Sequence, residues 1–325
     1  MKPKLLSFCL ISILVILSCS PETKEIFSST NTGPFFGIQP TDEPQLLAPE
    51  LIAGPTDEYN GTFSPDGKEF YYTTDIPGNA YITFTELQPD NSWSKPKIAS
   101  FSGVYSDYDP LFSPDGKRIY FSSCRPLPDN KNSKNWYVEK ENGEWTEPKR
   151  ITLTGEELNE YYCSVTNDGT IYFNIWSQSK IYKAIKKDTS YHITEITKEL
   201  SVDFDMGDPY ISPDEDYIIF RGYGDDSFGH GDLYISFNIK NKWTVPENLG
   251  EPVNSENHEM CPFVTQDGSI FIYASNRINN YLETEPLENI NTVHENFRSY
   301  DNGNMNIYFM SANFIDKLRE KYLNE

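Results

Sequence analysis

The sequence predicts an all-β fold, a single β-propeller with five blades of four strands each. A turn motif occurs five times at intervals of 46 to 53 residues, and each copy precedes a short run of aromatic and β-branched residues. The composition agrees, because 22 tyrosines and 20 phenylalanines favour pleated strands, whereas 22 prolines and 19 glycines favour frequent turns. Four-stranded repeats of about this length are typical of propeller blades.

The turn motif is clearest in its first two copies, which read Phe-Ser-Pro-Asp-Gly-Lys. They are followed by three degraded copies, so that the full set lies at 63–68, 112–117, 165–169, 211–215 and 264–268. In such a turn proline fixes φ, aspartate bonds the local backbone and glycine accepts the left-handed conformation. The fourth copy has Glu215 where the others have glycine, so we expect strain or a different shape in that turn.

Two strands are expected after each turn. The second strands of the five blades are predicted at 70–73, 119–122, 171–173, 217–220 and 270–273. The third strands are predicted at 81–84, 136–138, 180–182, 232–235 and 306–309. These runs are rich in aromatic and β-branched residues, which favour strands.

The fourth strand follows a Trp-x-x-Pro segment in three repeats, beginning at Trp93, Trp145 and Trp243. Proline is tolerated at sheet edges, so this strand is predicted to be the outer one. The fifth repeat ends after its third strand, and the run 46–52 matches the missing pattern. We therefore expect the N-terminal run to pair with the last blade and close a propeller that covers 46–312.

The Phe-Ser-Pro-Asp-Gly-Lys turns, the aromatic strands and the Asp-Leu-Tyr strand at 232–234 resemble TolB-like, WD40-like propeller repeats of bacterial envelope proteins. The resemblance covers about residues 46–312, and the run 33–55 is similar to the lead-in of Bacteroidetes lipoproteins of this class. It implies a scaffold for protein contacts or ligand recognition. Because propellers host many functions, the fold alone does not decide between these roles.

The N-terminus has the pattern of an exported lipoprotein. Two lysines precede an apolar run, and Ile16-Leu17-Ser18-Cys19 resembles a bacterial lipobox. We therefore expect residues 1–18 to be a signal peptide and Cys19 to be lipidated, for example by palmitate, which would attach the protein to the outer membrane through lipid only. Ordinary secretion with an unmodified Cys19 is the alternative, and the pattern leaves open whether the protein faces the periplasm or the medium.

Two flanking segments complete the predicted organisation. Residues 19–45 are rich in proline, serine and threonine, which predicts a lipidated tether. Residues 313–325 are predicted to contain a short amphipathic helix. Cys124, Cys163 and Cys261 remain, and both one disulfide with a free thiol and three free thiols are compatible with the exported compartment.

Composition and motifs narrow the function classes. A formal net charge of −22 repels phosphate backbones, so nucleic-acid binding is not expected. The sequence has no GxSxG, HExxH, Walker, GxGxxG or CxxC motif, and its four histidines match no metal-ligand spacing. We therefore expect no catalytic residue, no cofactor and no metal.

A set of charged residues is predicted on one rim of the propeller. Acidic residues stand just before the first strands, and arginines follow the second strands of blades two and five; the candidate site comprises Asp107, Asp109, Glu160, Asp208, Glu259, Arg125 and Arg277. Two interpretations are open. The charges could tie neighbouring blades together, or they could form a ligand or cation site at the channel mouth.

The longest connection, 276–303, lies on the same rim and carries Tyr281, Leu282 and Phe297. A connection of this length is either functional, in this case a partner-binding flap, or disordered. The leading functional hypothesis is a non-enzymatic accessory subunit that contacts an outer-membrane or periplasmic protein. The alternative is a glycan-binding or glycan-active propeller that uses an acidic central channel.

Overall fold

A computed structural model describes residues 31–126, 132–155, 157–278, 289–300 and 302–323. Its strands form five separate antiparallel sheets, and each sheet is one blade. The predicted all-β, five-bladed propeller is confirmed. None of the helices in the described ranges is long and apolar enough to span a membrane.

The strands follow the repeat order of the sequence. Blade 1 contains β2 (Asp57–Phe63), β3 (Glu69–Ile76), β4 (Asn79–Glu86) and β5 (Lys97–Ile98). Blade 2 contains β6 (Asp107–Phe112), β7 (Arg118–Ser123), β8 (Lys134–Glu141), the short β9 (Glu144–Trp145) and β10 (Lys149–Arg150). Blade 3 contains β11 (Glu160–Val165), β12 (Ile171–Ile175), β13 (Lys180–Lys187) and β14 (Ser190–Glu195).

Blade 4 contains β15 (Met206–Ile211), β16 (Tyr217–Gly222), β17 (Asp232–Ile239), the short β18 (Lys242–Trp243) and β19 (Glu247–Asn248). Blade 5 contains β20 (Glu259–Val264), β21 (Ile270–Ser275), β22 (Asn306–Ser311) and the N-terminal β1 (Gln45–Leu46). The helices are α1 (Thr197–Leu200), α2 (Ile290–Arg298) and α3 (Asn313–Leu323), and short 3-10 turns cover Pro34–Gly37 and Trp176–Gln178.

The N-terminal strand closes the ring, as the sequence predicted. Strand β1 is the outer strand of blade 5, where Gln45 pairs with Phe309 and Leu46 with Tyr308. Leu47, in the connection that follows β1, is buried. Since the outer strand of the last blade precedes the first blade in the chain, unfolding of either end opens the ring.

Residues 33–36, expected to form part of a tether, pack against blade 1, and Thr41 accepts a hydrogen bond from Ser311 N of blade 5. Trp93 Nε1 donates a hydrogen bond of 2.8 Å to the carbonyl oxygen of Gly33. Phe36 is only 2% exposed, and its ring lies 4.2 Å from the Trp93 ring and 5.2 Å from the Phe63 ring, centroid to centroid. This segment is therefore part of the folded domain.

The five turn motifs share one backbone conformation. Gly67 and Gly116 have φ of 68° and 70°, and Glu215, which replaces the glycine in the fourth copy, has φ of 60°. The left-handed conformation costs a non-glycine residue about 1–2 kcal/mol. The Glu215 carboxylate accepts hydrogen bonds from Tyr172 and Lys183 of blade 3, contacts that help to offset this strain.

The first strands line the centre of the ring, where β2, β6, β11, β15 and β20 contact one another in sequence and β20 returns to β2. Each has a β-bulge that places one residue in the left-handed region: Asn60, Asp109, Tyr162, Asp208 and Cys261. Bulges kink a strand and redirect its side chains. The bulges therefore decide which side chains meet on the axis.

We predict that Phe36→Ala lowers the free energy of unfolding by about 3 kcal/mol, because it removes a buried ring and leaves a cavity between the N-terminal segment and blade 1. Phe228→Ala, at an exposed position, is the control and should change stability by less than about 0.5 kcal/mol. Urea unfolding followed by tryptophan fluorescence measures both. Equal stability of the two variants would show that the N-terminal segment does not pack on the propeller.

Candidate functional site

A cavity of about 380 Å³ opens at the centre of the rim face. Its aromatic and apolar walls come from the residues just before the bulges, one from each of four blades: Tyr59, Tyr108, Tyr161 and Met260. Blade 4 has Gly207 at the equivalent position. The ring of large side chains is therefore open on the side of blade 4.

The gap at Gly207 is filled by Arg221, its partner across β15 and β16. A Cβ atom on Gly207 would lie 2.7 Å from Arg221 Nη2, so any larger residue at this position would force the guanidinium to shift. Arg221 Nε lies 3.1 Å from Asp208 Oδ2, and Arg221 Nη1 donates a 3.0 Å hydrogen bond to the Tyr223 hydroxyl. Blade 4 thus contributes a buried ion pair where the other blades contribute a tyrosine or a methionine.

The titratable groups of the cavity are shifted by burial. Burial and the negative charge of Asp208 raise the pKa of Asp109 to about 7, although the Ser122 hydroxyl donates a hydrogen bond of 3.1 Å to its carboxylate. Burial and the positive charge of Arg221 lower the pKa of His258 to about 4. At neutral pH His258 is therefore uncharged and Asp109 is partly protonated, and the Asp208–Arg221 pair cancels its own charge.

The aromatic wall extends to the edge of the rim. The rings of Tyr108 and Tyr161 lie 6.2 Å apart, and those of Tyr161 and Trp176 lie 6.0 Å apart, each pair in an edge-to-face arrangement. Trp176 is 59% exposed and borders a second hollow of about 270 Å³, which it shares with Arg221 and Tyr223. Two adjoining cavities therefore have Trp176 and Arg221 in common.

The other predicted acidic residues form buried clasps outside the cavity. Asp107 accepts hydrogen bonds from Ser123 Oγ at 2.6 Å and Ser102 Oγ at 2.8 Å, and pairs with Arg125 Nη2 at 3.2 Å. Arg125 also donates to the carbonyl oxygen of Phe101. The clasp fastens the connection from blade 1 onto blade 2.

Blade 5 repeats this clasp with different residues. Glu259 accepts a hydrogen bond from Ser275 Oγ at 2.7 Å and pairs with Arg277 Nε at 3.3 Å, and Arg277 donates to the carbonyl oxygen of Val253. In blade 3 the cation comes from the neighbouring blade. There Lys134 Nζ lies 3.5 Å from Glu160 and donates to the carbonyl oxygen of Gly155 at 2.6 Å.

The structure thus divides the seven predicted site residues into two groups. Asp109 and Asp208 line the central cavity. The clasps hold the other five: Asp107, Glu160, Glu259, Arg125 and Arg277. An alignment of the five repeats could have identified the other cavity residues. In it the position before the bulge reads Tyr, Tyr, Tyr, Gly, Met, and the glycine leaves the space that Arg221 occupies.

Several other predicted residues can be placed. Phe297 lies on α2 and is 68% exposed, whereas Tyr281, Leu282 and Cys19 lie outside the described residues. Cys124, Cys163 and Cys261 are free thiols. Within the described ranges, no group of three or more His, Cys, Asp or Glu side chains is arranged to hold a metal ion.

Comparison with known proteins shows likeness in fold. No family model matches the sequence, and no curated protein is similar to it. TolB from Acinetobacter baumannii is 22% identical, with a TM-score of 0.42 over 61% of this chain and 44% of its own. A putative TolB from Agrobacterium tumefaciens is 18% identical, with a TM-score of 0.46 over 71% and 74% of the two chains.

An alpha-L-arabinofuranosidase from Lactobacillus brevis is 12% identical, with a TM-score of 0.46 over 80% of this chain and 91% of its own. This chain spans less than half the length of the A. baumannii TolB. The likenesses concern the fold alone. The class of protein follows from the blade topology and the repeated turns, which make the chain a five-bladed β-propeller.

We predict that Asp109→Asn stabilises the protein more at pH 7.5 than at pH 4.5. The pKa of Asp109 is near 4 in the unfolded chain and about 7 in the folded one, so the folded state retains a proton that the unfolded state has lost, and stability falls as pH rises through this window. The amide is neutral throughout, and asparagine tolerates the left-handed conformation of this residue. The free energy of unfolding of the variant, relative to that of the wild type, should be higher at pH 7.5 than at pH 4.5 by on the order of 2 kcal/mol. Thermal unfolding at the two pH values measures this difference.

The control for this prediction is Asp90→Asn. Hydrogen bonds from the side chain and backbone of Ser92 hold the pKa of the exposed Asp90 below its usual range. Its substitution should produce a small pH-dependent difference of the opposite sign. A stability difference for Asp109→Asn that does not change with pH would show that this carboxyl titrates normally.

Proposed function

We propose that the protein is a non-enzymatic interaction module of the bacterial envelope, anchored to the outer membrane through lipid on Cys19, and that its rim face binds an outer-membrane or periplasmic protein. The distribution of exposed apolar side chains carries this proposal. Of fourteen exposed large apolar residues in the described ranges, ten lie in connections that open on one face, here called the rim surface: Ile76, Val104, Trp176, Tyr223, Phe228, Ile278, Ile290, Val293, Phe297 and Tyr300.

The blade topology explains why these residues share a face. In an antiparallel blade, the connections between second and third strands and those between successive blades leave from the same end of the strands. Single exposed apolar side chains need no explanation, but a concentration on one face is typical of an interaction site. The opposite face, which carries the turn motifs, has no comparable concentration among the residues described.

Helix α2 forms the most apolar part of the rim surface. Ile290, Val293 and Phe297 are spaced by three and four residues, so they share one side of the helix, and all three are exposed. The helix lies in the connection that the sequence analysis associated with a partner. An amphipathic helix with its apolar side in solvent supports docking against another protein.

The charge of the rim favours a basic protein partner. Among the described residues of the rim connections, the exposed basic ones are Lys198 and Arg298, whereas the exposed acidic ones are Glu50, Glu157, Glu199, Asp203, Asp205, Asp225, Asp226, Glu251, Glu256 and Glu295. Such a surface repels anionic lipid headgroups and attracts lysine and arginine side chains. The partner we infer therefore presents apolar side chains surrounded by basic ones.

Substitution of the lipobox cysteine tests the membrane anchor. We expect Cys19→Ala to move the protein from the membrane fraction to the soluble fraction of the cells that produce it, because stable attachment depends on acyl chains at this residue. Fractionation and immunoblotting measure the distribution, with Cys124→Ala as the matched control that stays in the membrane fraction. A membrane-bound Cys19→Ala protein would contradict the lipid anchor.

Affinity purification tests the partner. The tagged full-length protein is cross-linked in its own membranes and purified, and the co-purified proteins are quantified by mass spectrometry. We expect Phe297→Ser to lower partner recovery at least about tenfold, because a central apolar contact of this kind contributes 1–2 kcal/mol or more to binding.

The matched control for Phe297→Ser is Val245→Ser. Val245 is 65% exposed but lies between β18 and β19 on the other face of the ring, so its substitution should leave partner recovery unchanged. Purification of the wild-type protein alone would contradict the proposed function. Equal recovery with the two variants would contradict the assignment of the rim surface.

A further inference from the structure

The central cavity is closed at its base. The Tyr162 side chain, buried on blade 3, crosses the ring axis and donates a 2.7 Å hydrogen bond to the carbonyl oxygen of Pro262 on blade 5. Blades 3 and 5 are not neighbours, so the phenol spans the channel. From this link between blades 3 and 5 we infer that a ligand enters from the rim and that the end of an extended molecule occupies the cavity.

The walls combine flat apolar surfaces with directional polar groups. Tyr108, Tyr161 and Trp176 contribute a chain of aromatic rings to the lining, and Asp109 and the Asp208–Arg221 pair contribute polar groups. Aromatic rings pack against the apolar C–H face of a sugar, while carboxyl and guanidinium groups bond its hydroxyls. A volume of about 380 Å³ is in the range of small-molecule sites.

The charges of the cavity favour an uncharged ligand. Asp208 is compensated by Arg221 at 3.1 Å, and His258 is neutral at pH 7 because its pKa is lowered to about 4 by burial and by Arg221. A cationic ligand would compete with the guanidinium already present, whose Cζ atom lies 5.9 Å from the Trp176 ring centroid and 5.5 Å from that of Tyr223. The one guanidinium among the described lining residues is already paired with Asp208, so an anionic ligand would have no free cation to bind.

The second hollow provides room for one more unit of the same ligand. It adjoins the central cavity, and Trp176 and Arg221 line both. Its volume, about 270 Å³, is smaller than that of the central cavity, and Ser179 and Asp205 add polar groups to its wall. A chain that ends in the central cavity and continues into this hollow would pass Trp176.

From these observations we propose that the central cavity and the adjoining hollow bind the end of a neutral oligosaccharide, one sugar unit in each, with Trp176 contacting both units. This inference goes beyond the proposed partner contact and does not depend on it, because the partner site is tested at Phe297 and the sugar site at residues inside the cavities.

Calorimetric titration at pH 7 with defined sugars tests the proposal. The probes are neutral mono-, di- and trisaccharides of glucose, galactose, mannose, xylose and arabinose, with galacturonate and glucosamine oligomers of the same lengths as charged counterparts. We expect at least one neutral series to bind. Its disaccharide should bind about tenfold more tightly than its monosaccharide, and its trisaccharide no more tightly than its disaccharide.

Two variants locate the site. Trp176→Ala should lower the disaccharide affinity at least about tenfold, and Tyr108→Ala, inside the central cavity, should weaken the mono- and disaccharide to a similar extent. Phe228→Ala is the control, since Phe228 is exposed on the same face but lines neither cavity. Because Trp176 is largely exposed, its substitution leaves the fold intact even where Tyr108→Ala does not.

Three results would overturn the proposal. The first is that no neutral probe binds with a Kd below about 10 mM. The second is that a charged oligomer binds more tightly than every neutral one. The third is a Trp176→Ala protein that binds the disaccharide as the wild type does.

Discussion

The β-bulge in the first strand of every blade is the constraint on which the centre of this molecule depends. It holds one residue per blade in the left-handed conformation, and in blades 2 and 3 the backbone N–H group of that residue donates to a side chain of the preceding blade. Asp109 N donates to Thr73 Oγ1, and Tyr162 N donates to Ser122 Oγ, both at 3.0 Å. The bulges therefore join neighbouring blades and at the same time set the side chains that line the cavity and close its base.

Asp107 and Asp109 are two residues apart in blade 2 but have different roles. Asp107 lies before the bulge and is compensated by two serine hydroxyls and Arg125, so it acts as a structural clasp. Asp109 lies at the bulge, has no cation at ion-pairing distance among the described contacts, and has its pKa raised to about 7. Burial alone does not distinguish the two carboxylates, since both are nearly inaccessible. The difference comes from the partner that each backbone position can reach.

Repetition made the fold predictable, and departures from repetition made the site hard to predict. The turn copies, the Trp-x-x-Pro segments and the missing fourth strand of the last repeat were sufficient for five blades and for closure by β1, because they reflect local backbone rules and sheet edges. Gly207 stands out in an alignment of the repeats as the one small residue before a bulge, but its relation to Arg221 appears only when β15 and β16 are paired. The packing of Phe36 on Trp93 depends on contacts across more than fifty residues, which composition does not encode.

The two proposed sites share one face, and their positions have a thermodynamic consequence. The central cavity opens in the middle of the rim surface; Trp176 belongs to the rim surface and lines both cavities, and Tyr223 belongs to the rim surface and lines the second hollow. A protein seated across the rim would cover the opening of the central cavity on that face. If both proposed ligands bind, each would change the affinity of the other by the same factor, whichever is bound first. The sign of this coupling depends on whether the partner leaves room for the sugar chain beside Trp176. The space around this one residue therefore decides whether sugar binding and partner binding favour or oppose each other.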